Sequence, residues 1–346
     1  MTPRRLAVIG LVAMLAAGCS AAFAPTAPAR TSGIAEPHTA EPSPGSTVAN
    51  PPSSGAAEPR TAEPSPGITP ADPPSTDLGA SAWSVKAVGG GVWIQVDPPV
   101  DQLVKVGTET GEPTVMIDGG RGIGTDGVEV WVALGPDGLA KIDAATGETL
   151  LTVPADASYA ALGSGSVWAT HGDGIGRWDT ATGELPATIP VDVTEVTELL
   201  FAHDSVWITA KEDAVVLRID PSSNEVVATI ETGLGAHGLA AEENALWVTN
   251  YRANSVSRID PATDEVVATI AGVGSGVGIA AAEGAIWASV RGVGIARIDT
   301  ATDEAQLIVE LPGQWNYGLA YDSGTLWVTS VERGLVYRIE LDQLDS

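Results

Sequence analysis

A repeat of about forty residues is the feature of this sequence that most restricts its fold. Residues 246–270 read LWVTNYRANSVSRIDPATDEVVATI, and residues 206–230 read VWITAKEDAVVLRIDPSSNEVVATI. Seven tryptophans that follow an aliphatic residue recur at spacings of 37 to 40 residues: Trp93, Trp131, Trp168, Trp207, Trp247, Trp287 and Trp327. A second marker, most often Arg-Ile-Asp, follows each of them, and its basic residues are Lys105, Lys141, Arg177, Arg218, Arg258, Arg297 and Arg338. Self-similarity at this period predicts a propeller or a solenoid.

Each repeat divides into four short strand candidates. In the fifth copy these are GLAA at 238–241, ALWVTN at 245–250, SVSRID at 255–260 and EVVATI at 265–270, with turn-forming residues after the first and third. No segment has helical periodicity, which excludes a helical solenoid. Because four strands in forty residues make one blade, the sequence predicts an all-β, seven-bladed β-propeller with four antiparallel strands per blade.

The tryptophans and the Arg-Ile-Asp markers are interpreted as structural. A single blade leaves both of its faces exposed, whereas blades packed around an axis cover one another. We therefore expect the seven tryptophans to be equivalent anchors wedged between neighbouring blades. The Arg and Asp of each marker are expected to form bonds between blades or within turns.

The stretch WVTN…NSVSRIDPATDEVVATI resembles the YVTN-type propeller repeat, and the resemblance extends over about 79–340. It implies a seven-bladed propeller whose looser relatives are the streptogramin-lyase-like propellers. It implies little about function, because propellers host many unrelated activities.

Closure of the ring needs a strand from elsewhere. Only IELDQLDS follows Arg338, so the last repeat lacks its fourth strand. Propellers commonly borrow that strand from the N-terminus. The candidate segment, TDLGASAW at 76–83, is a poor strand sequence that follows two prolines. The sequence therefore predicts a loose closure.

The first 77 residues have a different character. MTPRR, an apolar run from Leu6 to Gly18 and Cys19 form a signal-peptide pattern that is too short to span a membrane. LAAGC resembles the lipobox of bacterial lipoproteins, whose cysteine is acylated, and an ordinary signal peptide is the alternative. Residues 19–77, rich in Pro, Ser, Thr and Ala, predict a disordered stalk. We expect a lipoprotein signal peptide at 1–18, the stalk at 19–77 and the propeller at 78–346, on an extracytoplasmic protein anchored by lipid to the bacterial cell membrane.

Acidic residues dominate the chain. The formal charge is −27, and from Leu78 onward 38 acidic residues stand against 13 basic ones. Such a surface repels phosphate backbones and anionic lipid, which argues against nucleic-acid binding and polybasic membrane contact. Cys19 is the only cysteine, so the chain forms no internal disulfide.

Candidate binding residues fall on one face of the predicted propeller. The loops joining strand four to the next strand one share that face with the loops joining strand two to strand three. Five of the six basic residues of the propeller outside the markers belong to these loops, and Lys86 is expected elsewhere. A sector over blades five, six, seven and one holds the predicted ligand-binding residues, which are Trp83, His237, Tyr251, Arg252, Arg291, Trp315, Tyr317 and Arg333. The alternative is that the aromatic residues plug the channel and the arginines pair with acids such as Glu332.

Catalysis is the competing hypothesis. The resemblance to the lyases implies a histidine at the start of a first strand with a metal nearby, and His237 matches that position. Those lyases carry acidic residues just after strand two, whereas the third residues after the seven tryptophans are Val96, Leu134, His171, Ala210, Asn250, Val290 and Ser330. We therefore expect no metal site and no cofactor, with His237 and His171 as secondary catalytic candidates.

Three functions follow from these observations. The sequence favours a non-enzymatic, monomeric binding module for an envelope or extracellular protein, peptide or glycan. A lyase-like or hydrolase enzyme using His237 is the second hypothesis, and a purely structural envelope protein is the third.

The lipobox makes a direct prediction. A Cys19→Ser variant should move from the membrane fraction to the soluble fraction, because the acylated residue is gone. Fractionation followed by mass spectrometry of the N-terminal peptide checks this. Retention of the variant in the membrane fraction, together with an unmodified wild-type cysteine, would contradict the prediction.

Overall fold

Twenty-nine β-strands and one short 3₁₀ helix make up the part of the chain that the structure describes. The computed structural model describes residues 60–61, 73–88, 90–97, 102–313 and 316–344, so Cys19 and Trp315 lie outside the described residues. No helix within these ranges is long and apolar enough to cross a bilayer.

The first four blades follow one another along the chain, each an antiparallel sheet whose strands are hydrogen-bonded in sequence order. Blade 1 contains β3 (Ala82–Ala87), β4 (Gly91–Val96), β5 (Gln102–Gly107) and β6 (Pro113–Asp118). Blade 2 contains β7 (Gly122–Thr125), β8 (Val130–Ala133), β9 (Leu139–Ile142) and β10 (Thr149–Val153). Blade 3 contains β11 (Ala160–Gly163), β12 (Ser166–His171), β13 (Gly174–Asp179) and β14 (Ala187–Pro190). Blade 4 contains β15 (Val196–Ala202), β16 (Ser205–Ala210), β17 (Val215–Asp220) and β18 (Glu225–Glu231).

The remaining blades continue the pattern. Blade 5 contains β19 (Ala236–Glu242), β20 (Ala245–Asn250), β21 (Ser255–Asp260) and β22 (Glu265–Ala271), and β1 (Arg60–Thr61) pairs with β22 in parallel. Blade 6 contains β23 (Ile279–Ala282), β24 (Ala285–Val290), β25 (Gly294–Asp299) and β26 (Ala305–Glu310). Blade 7 contains β27 (Asn316–Asp322), β28 (Thr325–Ser330), β29 (Leu335–Glu340) and β2 (Ser75–Asp77), after which the 3₁₀ helix covers Leu341–Gln343. The protein is therefore an all-β, seven-bladed propeller, as the sequence predicted.

The ring tryptophans pack at the junctions between blades, which confirms their structural interpretation. All seven are at most 4% exposed. Seven hydrophobic clusters each combine one of these tryptophans with side chains of the next blade. For example, Trp247 of blade 5 packs with Ile286 and Ile298 of blade 6, and Trp327 of blade 7 packs with Val92 and Ile94 of blade 1. Burial of large aromatic surface at every junction holds the blades in a ring.

The basic residues of the markers also bridge neighbouring blades. Arg218 lies over the ring of Trp207 at 5.2 Å, and its Nη1 donates to the carbonyl of Pro261 and to Asp264 Oδ1 of blade 5, both at 2.8 Å. Equivalent bonds to a carbonyl of the following blade are made by Lys105, Lys141, Arg177, Arg258 and Arg338. The marker carboxylates cap the turn after strand three, and those that accept its backbone N–H groups are Asp143, Asp179, Asp220, Asp260 and Asp299. These bonds confirm the predicted structural role.

Strand β2 closes the ring by completing blade 7. It pairs antiparallel with β29, and the N–H groups of Leu78 and Arg338 extend the ladder to the carbonyls of Gly334 and Pro74, both at 2.8 Å. The Arg338 guanidinium adds a bond to the carbonyl of Glu109 in blade 1 at 3.1 Å. Closure is therefore firmer than the sequence predicted, because the backbone supplies the bonds whatever the strand propensity of the side chains. It also starts at Ser75, within the segment assigned to the stalk, while Ala82 and the residues after it belong to blade 1.

Two truncations test the closure. A variant lacking residues 20–72 keeps β2, whereas one lacking residues 20–79 exposes the edge of β29 and loses its ladder. Both variants lose β1, so the loss of its pairing with β22 affects the two melting temperatures equally. We expect the first to melt close to the wild-type temperature and the second to melt lower by more than about 5 °C, because several buried backbone bonds are lost. Equal melting temperatures by calorimetry would show that β2 does not close the ring.

Candidate functional site

A cavity lies at the mouth of the axial channel, on the face of the loops joining strands four to one and two to three. Its volume is about 320 Å³. Its lining comes from five blades and consists of Trp83, Ser84, Lys86, Gln95, Asp97, Arg121, Gly122, Ile123, Tyr159, Ala160, Thr197, Glu198 and His237. We call this the mouth cavity. It brings together Trp83 and His237 among the residues proposed from the sequence.

An ion pair spans the channel below the mouth. Lys86 Nζ of blade 1 lies 3.1 Å from Glu198 Oε1 of blade 4, and their side chains are 31% and 22% exposed. Both side chains, with Ser84 and His237, also line a smaller cavity of about 40 Å³ further along the channel. The expectation that Lys86 lies away from this face was wrong. A register shift between Ala82 and Val85 changes which residues of β3 turn to the axis.

His237 is fixed at the start of β19 by the neighbouring blade. The Thr209 hydroxyl donates to its carbonyl at 2.6 Å, and its ring meets the ring of Tyr251 edge-on with centroids 6.5 Å apart. Burial, with a smaller effect from the charge of Lys211, lowers the pKa of His237 to about 4. The imidazole is therefore neutral near pH 7. A side chain with this pKa is a poor general base there, because proton transfer is most effective when the pKa lies near the working pH.

Tyr251 and Arg252 form a charged cluster next to the mouth. The Arg252 guanidinium donates to both carboxylate oxygens of Glu212, at 2.8 and 2.6 Å, and its Nε donates to the Tyr251 hydroxyl at 3.0 Å. The Lys211 ammonium donates to Glu195 at 2.5 Å. Arg252 thus pairs with an acid forty residues earlier in the chain, as the alternative reading of the arginines expected. Its charge is balanced and it does not line the mouth cavity.

The other predicted residues are more scattered. Arg291 and Arg333 are exposed on loops of blades 6 and 7 and do not line the mouth cavity. Tyr317 belongs to β27, and its side chain, like all of Trp315, lies outside the described residues. The predicted sector of blades five, six, seven and one is therefore not a single described cavity. The mouth cavity draws instead on blades 1 to 5.

His171 does not share a cavity with His237. It ends β12 in blade 3, and its ring packs edge-on against Trp178 with centroids 5.3 Å apart. Neither channel cavity includes it. The described structure therefore places the two histidines in different surroundings, and packing against Trp178 accounts for the position of His171.

Sequence reasoning missed Tyr159 and Glu198. Burial, followed by the charges of Glu198 and Glu195, raises the pKa of Tyr159 to about 12, so its phenol stays protonated. The repeat predicts that each first strand starts ten residues before its tryptophan, at Ser158 in blade 3 and Thr197 in blade 4. Tyr159 and Glu198 each lie one residue after these predicted starts. Taking two residues at each start, instead of one, would have included both.

A third cavity, of about 670 Å³, adjoins Tyr159 between blades 3 and 4. Its charged lining is acidic and consists of Asp156, Asp173, Asp192 and Glu195. Within the described ranges, no three His, Cys, Asp or Glu side chains are grouped so that they could hold a metal ion.

Solved structures share this architecture at low sequence identity. A streptogramin B lyase structure superimposes with a TM-score of 0.66 and 15% identity, over 77% of this chain and 96% of the lyase. The β-propeller domain of Cps50 (Swd1) from Myceliophteria thermophila gives 0.62 and 13%, over 77% and 99% of the two chains. The RRP9 WD40 repeats give 0.67 and 12%, over 80% and 99%.

These neighbours show the fold alone, because their sequences differ too much to carry an activity across. No family model and no curated protein matches the sequence.

The lowered pKa of His237 predicts how stability depends on pH. The ordinary value is 6.5 and the folded value is about 4, so between these pH values the unfolded chain binds a proton that the folded chain does not. The free energy of unfolding should therefore fall as the pH drops through this window. In His237→Gln the fall should be smaller by up to about 3 kcal/mol. Urea unfolding across this range measures it, and equal slopes in the two proteins would contradict the prediction.

Proposed function

We propose that this protein is a non-enzymatic propeller of the cell envelope, held by a lipid on Cys19, that binds an extracellular or envelope protein or peptide at the mouth cavity. The observation that carries the proposal is the lining of that cavity. Trp83 and Tyr159 supply aromatic surface, Lys86 and Arg121 supply positive charge, and Glu198 supplies negative charge. Aromatic side chains and arginine, clustered in a concave site, are the groups that contribute most to binding energy in protein interfaces.

Charges of both signs favour a peptide over a neutral glycan. A peptide offers carboxylates, ammonium or guanidinium groups and amides together, and each can find a partner of opposite charge in the cavity. Electrostatic complementarity of this kind gives specificity. The WD40 and Cps50 propellers share the architecture, which is compatible with a partner seated on one face.

The enzyme hypothesis is less well supported by the site. His237 is the candidate base, and its lowered pKa leaves it weakly basic at neutral pH. Its surroundings suit a neutral imidazole that donates or accepts a hydrogen bond, because burial penalises the charged form. His237 is therefore assigned to ligand contact.

The proposal is tested with one variant in the cavity and one on the opposite face. The full-length Cys19→Ser protein captures partners from envelope extract, and the captured partner is then titrated against Trp83→Ala and Tyr321→Ala. Tyr321 is the matched aromatic control. It lies near the end of β27 that is away from the mouth cavity, where its hydroxyl donates to Glu283 at 2.9 Å. We expect Trp83→Ala to weaken binding about tenfold or more and Tyr321→Ala to leave it unchanged.

The outcomes separate the hypotheses. Melting temperatures of both variants control for folding. Equal affinity of wild type and Trp83→Ala would remove the site from the mouth cavity. Chemical conversion of the captured ligand that disappears in His237→Gln would establish the enzyme hypothesis instead.

A further inference from the structure

The charges around the mouth cavity are balanced although the domain is strongly acidic. Two cations, Lys86 and Arg121, and two carboxylates, Asp97 and Glu198, line it, and His237 is neutral near pH 7. From Leu78 onward the sequence has 38 acidic and 13 basic residues. An anion approaching this protein meets an unfavourable overall field, and a ligand without net charge does not.

Two of the four charges already neutralise each other. The Lys86–Glu198 pair joins blade 1 to blade 4 at 3.1 Å. Its side chains and His237 line both the mouth cavity and the smaller cavity beyond it, so they form the boundary between the two. Because the pair is partly exposed, its remaining lone pairs and protons are available to a ligand.

The other two charges are separate. Arg121 starts blade 2, and Asp97 follows β4 of blade 1. Within the described ranges neither belongs to an ion pair, so their charged atoms are more than 4.0 Å apart. The Arg121 side chain packs against the turn at Gly135. A cation and a carboxylate held apart at one rim can each take the opposite charge of a single ligand.

The apolar part of the lining limits the size of that ligand. Trp83, Ile123, Tyr159 and Ala160 supply it. A volume of about 320 Å³ lies at the low end of the range for small-molecule sites. A whole small ligand, such as one amino acid, fits in such a space, and burial of its side chain against Trp83 and Tyr159 contributes favourable surface.

We propose that the mouth cavity recognises a zwitterion, with its carboxylate at Arg121, its ammonium at Asp97 and an apolar side chain between Trp83 and Tyr159. The ligand class is a free α-amino acid or a short peptide, which both carry the two charges. This inference rests on the proposed function and adds the chemical class of what the cavity binds. A ligand with one charge leaves either Arg121 or Asp97 without a counterion, which lowers its affinity.

The test uses phenylalanine and two analogues that each lack one charge. Phenylalanine methyl ester lacks the carboxylate, and N-acetylphenylalanine lacks the ammonium. Isothermal titration of the full-length Cys19→Ser protein should give phenylalanine at least a tenfold advantage over each analogue. The dipeptide Ala-Phe carries both charges farther apart, and whichever of Ala-Phe and phenylalanine binds more tightly identifies the source of the zwitterion.

Charge-removing variants assign each end of the ligand. Arg121→Gln should abolish the advantage over the ester, and Asp97→Asn should abolish the advantage over the N-acetyl compound. Glu243→Gln is the control, because Glu243 is an exposed acid in the loop between β19 and β20 on the opposite face. Its removal should leave all affinities unchanged.

Two outcomes would overturn the inference. No detectable binding of phenylalanine or Ala-Phe would exclude this ligand class, and equal binding of all four compounds would exclude charge pairing. Both outcomes are distinct from failure of the proposed function. The proposed function is tested by measuring how tightly Trp83→Ala binds the captured partner, an experiment that uses none of these compounds.

Discussion

The junction between neighbouring blades, where a buried tryptophan packs on the next blade and a strand-three cation bonds to it, is the contact on which the rest of the structure depends. In six of the seven blades, within the described residues, the marker Lys or Arg reaches a carbonyl of the following blade. Four of these cations also lie over the ring tryptophan of their own blade, within 5.9 Å of its centre. The same side chain therefore covers a buried aromatic face and joins two sheets. Because the motif recurs in each repeat, the same contacts recur between successive blades.

Ring formation creates the candidate site, since no blade contains it alone. Threonine hydroxyls of strand two also join neighbouring blades, nearer the channel than the strand-three cations do. Thr209 of blade 4 donates to the carbonyl of His237 in blade 5, and Thr249 of blade 5 donates to that of Val277 in blade 6 at 3.1 Å. Thr329 of blade 7 makes the same bond to the carbonyl of Trp83 in blade 1. Two residues of the mouth cavity are thus held through their backbones by the preceding blade.

The sequence predicted the fold well because the repeat encodes local features. Strand alternation, turn residues and the tryptophan positions all act within forty residues. The residues of the site were harder to predict, because β3, β15 and β19 each begin with a register shift that changes which side chains face the axis. Periodicity alone therefore missed Lys86 and Glu198. Pairing of Arg252 with Glu212 depends on how adjacent loops approach each other, which a single sequence does not reveal.

A double-mutant cycle on Arg218 and Asp264 measures the side-chain ion pair that joins blades 4 and 5. Asp264→Asn is suitable because Asp264 has a positive φ of 58°, a conformation that asparagine tolerates. Arg218→Gln removes the other charge. Because the side chains are 23% and 29% exposed, we expect a favourable coupling of about 1 kcal/mol in the free energy of unfolding. A coupling within about 0.3 kcal/mol of zero would contradict the account at this junction, since the ion pair between Arg218 and Asp264 would then not help to join blades 4 and 5.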